Sequence, residues 1–414
     1  MSTPPSSSWH RILLPAGAAP AARRILLARA LRALVDGYMA VVLPAYLLAL
    51  GMSTLQVGIL ATSTLLGSAV ATIAVGMYGH RFNSHRLLAA ASLLMVATGV
   101  GFAGISAFWP LLVVAFFGTL NPSAGDVSVF LPLEHARIAS AAGGQARTEL
   151  FARYSLAGAL CAALGALAAG VPDILGRHGV PVIAAFRSMF VLYALVGLLV
   201  WWLYREPLRG QVEAKTAAQA VAPLGASRRT VWRLALLFSV DAFAGGLVVN
   251  ALLSLWLLER FGLSLAQAGA FFFWAGLLSA LSQLMAPRLA RRIGLLNTMV
   301  FTHIPSSVCL ILAAMAPSLP AAIGLLLVRS LLSQMDVPTR SAYVMAVVTP
   351  SERPAAASLT AVPRSLAAAV GPALAGALFA AGWISLPLVA CGVLKIAYDL
   401  VLWRSCRGQA LNEE

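Results

Sequence analysis

Gly51-Met-Ser53-Thr-Leu-Gln56-Val-Gly58 is a stretch that this chain contains twice, the second time as Gly262-Leu-Ser264-Leu-Ala-Gln267-Ala-Gly269. The same separation relates Ser68-Ala69 to Ser279-Ala280 and Arg81 to Arg292. A separation shorter by one residue relates Asp126-Val127 to Asp336-Val337. Self-similarity over this length indicates that the chain consists of two halves with one design.

The composition indicates a membrane protein. Hydrophobic residues make up 60% of the 414 residues and charged residues only 10%, with a mean hydropathy of +0.87, which leaves too little polar surface for a soluble chain of this length. Twelve segments are long and apolar enough to span a bilayer. They are 26–50, 54–78, 87–107, 110–133, 150–170, 182–204, 231–257, 264–286, 294–316, 319–345, 355–379 and 384–404.

The sequence therefore predicts an all-α membrane protein with twelve transmembrane helices in two pseudo-symmetric six-helix bundles. We expect the first bundle to occupy residues 1–204 and the second to occupy 230–414. Residues 205–229 are polar and rich in charge, Gly, Ala and Pro, which is typical of a linker in the cytoplasm.

The net charge of +15 is a topology signal and does not indicate a nucleic-acid partner. Eighteen of the 29 Lys and Arg residues lie on the tails and on the loops of one side, whereas the loops of the other side hold only Arg177 and Arg260. Because positive loops stay in the cytoplasm, both termini are expected there. Arg outnumbers Lys 27 to 2, as in high-GC bacteria, so we expect a bacterial inner membrane. We also expect the chain to function as a monomer.

Four aspartates, Asp36, Asp126, Asp241 and Asp336, lie inside the apolar segments, and the repeat relates them in pairs. A carboxylate at membrane depth is costly, so such residues are candidates for a transport site or proton relay. Asp126 and Asp241 have no basic residue three or four positions away, which makes them the candidate proton carriers.

The other two aspartates have a cation four residues away. Arg32 precedes Asp36, and Arg340 follows Asp336, spacings that place both members of each pair on one helix face. Arg329 shares the face of Asp336 and Arg340. The alternative is that all four aspartates form salt bridges between helices, with partners drawn from Arg29, Arg153, Arg187, Arg329 and Arg364.

Three further polar residues in the last six segments are expected to be structural. Lys395 and Asp399 are four residues apart in the final segment, so we expect them to pair with each other. His303 is expected to be a packing residue. Pro338, and Pro122 in the first half, each lack the N–H that an intact helix needs, so they predict interrupted helices beside Asp336 and Asp126.

A basic loop follows the second segment of each half. The first runs from Gly76 through Arg81 to Arg86, and the second holds Arg288, Arg291, Arg292 and Gly294. With twelve helices and a central linker, these loops resemble the major facilitator superfamily, whose loop pattern is Gly-x-x-x-Asp-Arg/Lys-x-Gly-Arg/Lys-Arg/Lys. His80 stands where the family has its Asp.

The resemblance implies a central cavity lined by helices 1, 4, 7 and 10, which carry one of the four aspartates each. It also implies a gating role for Gly76, Arg81, Arg86, Arg291 and Arg292. For these basic residues, a role in topology alone is the alternative.

The sequence does not indicate an enzyme. Neither lysine lies in a Gly-x-x-x-x-Gly-Lys-Ser/Thr loop, and the chain contains neither His-Glu-x-x-His nor Gly-x-Ser-x-Gly. We expect no cofactor. The expected function is secondary active transport of a small solute, coupled to protons by alternating access, with export of a drug or a metal-like solute favoured. Uptake of an anionic metabolite held by Arg329, and a receptor that senses without transporting, are the alternatives.

The loop charge bias leads to a test of topology. Reporter fusions after Ser227 and at the C-terminus are expected to give the signal of a cytoplasmic location, because both sites lie on the basic side. An external signal from either fusion would contradict the twelve-helix assignment.

Overall fold

The computed structural model describes residues 21–121, 128–141, 144–205, 225, 227–349 and 352–407, and every regular element in those ranges is a helix. The first half contains α1 (Ala21–Ala49), α2 (Thr54–Tyr78), α3 (Ser84–Gly104), α4a (Phe108–Phe117), α4b (Phe130–Ala141), α5 (Gly144–Leu167, continued by Val171–Arg177) and α6 (Val182–Tyr204). The second half contains α7a (Arg228–Gly246), α7b (Asn250–Phe261), α8 (Leu265–Ile293), α9 (Leu295–Met315), α10a (Leu319–Leu332), α10b (Asp336–Ala346), α11 (Arg353–Ala380) and α12 (Leu386–Cys406).

The predicted fold class is confirmed. Ten helical spans are long and apolar enough to cross a membrane, and α1 together with the broken α4 completes the twelve. The linker assigned to 205–229 lies almost wholly outside the described residues, as do Pro122 and Asp126.

Two of the helix interruptions concern the candidate site. The helix that was predicted over 319–345 is broken between Leu332 and Asp336, just before Pro338, whose missing N–H cannot bond to the carbonyl of Gln334. A second break, between α7a and α7b at 247–249, contains no proline and was not predicted.

The repeated stretch begins the second helix of each half in the same way. Gly51 and Gly262 adopt left-handed backbone angles, with φ of 82° and 63°, which glycine tolerates without a steric penalty. Ser53 and Ser264 then cap α2 and α8. Each serine hydroxyl accepts from the backbone N–H of the glutamine three residues on, while the glutamine side chain accepts from the serine N–H at 2.9 Å.

The last glycine of each stretch is where the two halves touch. A Cβ on Gly58 would lie 2.4 Å from the carbonyl oxygen of Pro372 in α11, and one on Gly269 would lie 2.4 Å from that of Ala166 in α5. Small residues let helices approach closely in a membrane, so α2 packs on α11 and α8 on α5. Thr62 adds a hydrogen bond across the first of these interfaces, accepting from the N–H of Ala373 at 2.9 Å.

The hydrophobic cores differ between the two ends of the bundle. At the end where α1 runs into α2, which we call the far end, one core combines residues of both halves, including Tyr46 and Trp256. At the end that carries the termini, each half has a separate core, around Tyr154 in one and Tyr398 in the other. The halves are therefore closed against each other at the far end and apart at the terminal end.

The close contact of Gly58 with α11 predicts that one added methyl group weakens the packing at the far end. Gly58→Ala places a Cβ against the backbone of α11, so it is expected to weaken the far-end contact and to speed amide hydrogen exchange at 54–62 and 372–380. Gly104→Ala is the matched control, because a Cβ there meets nothing within 4 Å. Equal exchange in the two variants would show that this contact does not hold the far end closed.

Candidate functional site

A cavity of about 320 Å³ lies between the two halves. Helices α1 and α5 line it on one side, and α7b, α8 and α10a line it on the other. Its polar lining residues include Arg29, Asp36, Asn121, His135, Tyr154, Asn250, Gln283, Arg329 and Gln334. Two of the predicted site residues, Asp36 and Arg329, thus face one space from opposite halves.

Arg32 lies within electrostatic range of Asp36, as the four-residue spacing predicts, but the two form no salt bridge. Arg32 instead binds Glu134 of α4b, with one guanidinium nitrogen 2.6 and 2.5 Å from the two carboxylate oxygens. Glu134 is completely buried whereas Asp36 is partly exposed to the cavity, so Glu134 has the greater need of a cation. Among the described residues, the side chain of Asp36 makes no hydrogen bond and has no salt bridge within 4.0 Å.

Glu134 is the centre of a cluster that joins four helices. Besides Arg32 of α1, it accepts hydrogen bonds from the hydroxyls of Tyr154 in α5, at 2.5 Å, and Tyr204 in α6, at 2.6 Å. The guanidinium of Arg32 also lies 3.9 Å from the centre of the Phe130 ring. Sequence reasoning missed Glu134, because it placed the end of helix 4 at residue 133, whereas α4b continues to Ala141.

The second half contains a chain of ion pairs around Asp241. Asp336 accepts a hydrogen bond from Arg340, which confirms the predicted pair within α10b. Arg340 also lies 3.2 Å from one carboxylate oxygen of Asp241, and Lys395 Nζ lies 2.6 Å from the other. Asp241 has no cation on its own helix, as the sequence indicates, but α10b and α12 each supply one.

The chain continues from Lys395 through His303 to Asp399. Lys395 Nζ lies 3.3 Å from His303 Nε2, and His303 Nδ1 lies 2.9 Å from Asp399 Oδ2. The predicted pair of Lys395 with Asp399 is therefore wrong, because the imidazole of α9 lies between them. His303 is buried and both of its ring nitrogens have partners, as expected of a packing residue with satisfied polar atoms, and it also links Lys395 to Asp399. We call the residues from Asp336 to Asp399 in this chain the ionic network; its members are Asp336, Arg340, Asp241, Lys395, His303 and Asp399.

The remaining candidates lie elsewhere. Arg153 pairs with Glu149 at 3.7 Å, and Arg187 donates to the hydroxyl of Ser106 at 2.7 Å. The candidate gating residues Gly76, Arg81, Arg86, Arg291 and Arg292 are exposed at the terminal end. No salt bridge links the halves there among the described residues, and gating stays a prediction.

The Glu134 cluster leads to a test of stability. Glu134→Gln removes the carboxylate that forms a salt bridge with the buried Arg32, so we expect a loss of about 3–5 kcal/mol, seen as a lower thermal unfolding midpoint in detergent. Glu149→Gln removes one member of a pair whose side chains are 46% and 31% exposed, and it is expected to cost less than about 1 kcal/mol. Similar losses in both variants would contradict a special role for Glu134.

Known proteins share this architecture. The bacterial homologue of the lysosomal transporter Spinster, in an inward-facing and occupied conformation, superposes with a TM-score of 0.70 at 17% identity, covering 94% of this chain and 96% of that one. The nucleoside transporter NupG gives 0.71 at 12% identity over 94% and 100% of the two chains. The inward-open xylose transporter XylE from E. coli gives 0.66 at 17% identity over 92% and 95%.

The sequence comparisons lead to the same fold. An uncharacterized membrane protein of Saccharomyces cerevisiae, YJR124C, is 26% identical over 406 residues, which cover 90% of this chain and 91% of the yeast protein. The model of the Major Facilitator Superfamily matches residues 25–333 and 234–409. The chain therefore belongs to the Major Facilitator Superfamily and is a membrane transporter, not an enzyme.

Proposed function

We propose that this chain is a proton-coupled secondary transporter and that the ionic network of the second half is its coupling site. The family supports secondary transport of a small solute. The observation that carries the proposal is the unbroken chain of contacts from Asp336 to Asp399.

The network contains one more carboxylate than permanent cations. Asp336, Asp241 and Asp399 face Arg340 and Lys395, and Arg364 of α11, within electrostatic range of Asp241, offsets this excess of negative charge. Nε2 of His303 faces an ammonium and therefore accepts a hydrogen bond, while Nδ1 donates to Asp399. Binding a proton changes the charge of the network by one, and histidine is the side chain best suited to exchange protons near neutral pH.

The network is also placed where it can act on helix movement. Asp241 lies in α7a and Arg340 in α10b, and each of these segments adjoins the break in its helix, at 247–249 and 333–335. A proton that weakens the contact of Asp241 with Arg340 or Lys395 thus releases α7a from α10b or α12. Two further groups, Arg364 of α11 and Tyr398 of α12, lie within electrostatic range of the network.

Export of a solute with a cationic group is the direction and substrate class that we propose first, since Asp36 offers a carboxylate to the cavity. One observation favours uptake of an anionic metabolite as the second candidate. The side chain of Arg329 lines the cavity and makes no hydrogen bond or salt bridge among the described residues, so it is open to an acidic group. Accumulation in everted compared with right-side-out vesicles distinguishes export from import.

The coupling site is tested by removing its titratable groups. Asp241→Asn and His303→Gln keep the size of the side chain but not its titration, so both are expected to abolish proton movement driven by a solute gradient in proteoliposomes. Downhill exchange of labelled solute is expected to continue. Full proton movement in both variants would exclude the network as the coupling site.

Two matched variants complete this experiment. His178→Gln changes an exposed histidine outside the network and is expected to leave coupling intact. Asp126 remains the other sequence-based candidate, so Asp126→Asn belongs in the same assay. Loss of coupling in that variant alone would place the coupling site on helix 4.

A further inference from the structure

We propose that the cavity takes a zwitterionic solute, with Asp36 binding its cationic group and Arg329 its anionic group. A molecule of this class carries both charges at once, as an amino acid or a short peptide does. The inference rests on the proposed function only in assuming that the transported solute binds in the central cavity.

The first support is the pairing of the other carboxylates in the bundle. Among the described residues, Glu134 is paired with Arg32, Asp241 with Arg340 and Lys395, and Asp399 with His303. Asp36 has no such partner, although it lies midway along α1. A charged side chain at this depth is costly unless it is paired. Arg29 and Arg32 lie within electrostatic range of Asp36, but no salt bridge within 4.0 Å joins either of them to it, so the carboxylate can bind a cationic group of the solute directly.

The second support is that the side chain of Arg329 also lacks a salt bridge among the described residues. It lies in the last turn of α10a, where the partial negative charge of the helix end favours a cation by about 0.3–1 kcal/mol. That contribution is small compared with the cost of a buried charge, and no described carboxylate lies within 4.0 Å of Arg329. An acidic group on the solute would supply the missing counter-charge.

The third support is the position of the two residues in opposite halves. Asp36 belongs to α1 and Arg329 to α10a, and both line the same cavity of about 320 Å³, a size that suits a small molecule. A solute with one charge leaves one of the two residues unpaired. A zwitterion pairs both and connects the two halves, so its binding favours their closure around it.

Polar lining residues supply the remaining contacts. Asn250 of α7b and the neighbouring amides of Gln283 and Gln334, which are 3.5 Å apart, offer both donors and acceptors. Such groups suit the hydrogen-bonding backbone of a peptide or amino acid. A lipophilic drug would make no use of these donors and acceptors.

Binding to the full chain in detergent, without any gradient, tests this inference. The probes are the twenty standard L-amino acids and the dipeptide Ala-Ala, followed by the N-acetyl and the carboxamide derivatives of the tightest binder. We expect a zwitterion to bind and each derivative to bind at least tenfold more weakly, because each lacks one of the two charges.

Two variants assign the charges to the two residues. Asp36→Asn is expected to abolish the preference for the free amine over the N-acetyl group while keeping the preference for the free carboxylate. Arg329→Gln is expected to do the reverse. Neither change breaks a pair within the described protein, so the thermal midpoint without ligand is expected to stay within a few degrees. Glu259→Gln and Arg260→Gln, at neighbouring exposed positions, are the matched controls and should keep both preferences.

Three results would overturn the inference. They are no binding by any zwitterion, equal binding of the zwitterion and a singly charged derivative, and variants that weaken all probes equally. Each of these results can be distinguished from a result that contradicts the proposed coupling site. If a singly charged solute drives proton movement and no zwitterion binds, coupling stands and this inference fails. If a zwitterion binds and no proton moves, this inference stands and coupling fails.

Discussion

Charge pairing inside the membrane is the constraint on which this structure depends. A charged group removed from water needs a counter-charge and hydrogen bonds, and most of the buried charges described here have both. In the first half, a cation of α1 binds a carboxylate of α4b, Arg32 with Glu134. In the second half, a carboxylate of α7a binds a cation of α10b, Asp241 with Arg340. Each half thus joins its first and fourth helices by an ion pair, with the signs reversed.

The exceptions to this pairing lie where function is expected. Within the part of the chain that the structure describes, the side chains of Asp36 and Arg329 face the cavity without a salt bridge, while the ionic network lies within the second half. Helix 10 connects the two places, because Arg329 ends α10a and Arg340 lies in α10b, on either side of the break at 333–335. Solute binding in the cavity and a change of charge in the network therefore both act on the helix segments that meet at the break at 333–335.

The sequence predicted the fold well, because hydropathy and the internal repeat do not depend on tertiary contacts. It predicted the pairing of Asp336 with Arg340 for the same reason, since a four-residue spacing fixes neighbours on one helix. The partners of Asp241 and Arg32 come from other helices, as does the imidazole between Lys395 and Asp399. No spacing rule reaches those contacts, and the end of helix 4, placed before Glu134, concealed one of them.

The repeated stretch that begins α2 and α8 also indicates which contacts of a duplicated protein can change independently in each half. Gly58 and Gly269 each touch the opposite half, so an alteration in either copy disturbs both halves at once. Each ion pair joins helices of one half only, so it could be replaced there by a pair with the two charges exchanged. Descent from a common ancestral half would thus leave the shared contact surface alike in both copies, while the polar interior of each half could change independently of the other.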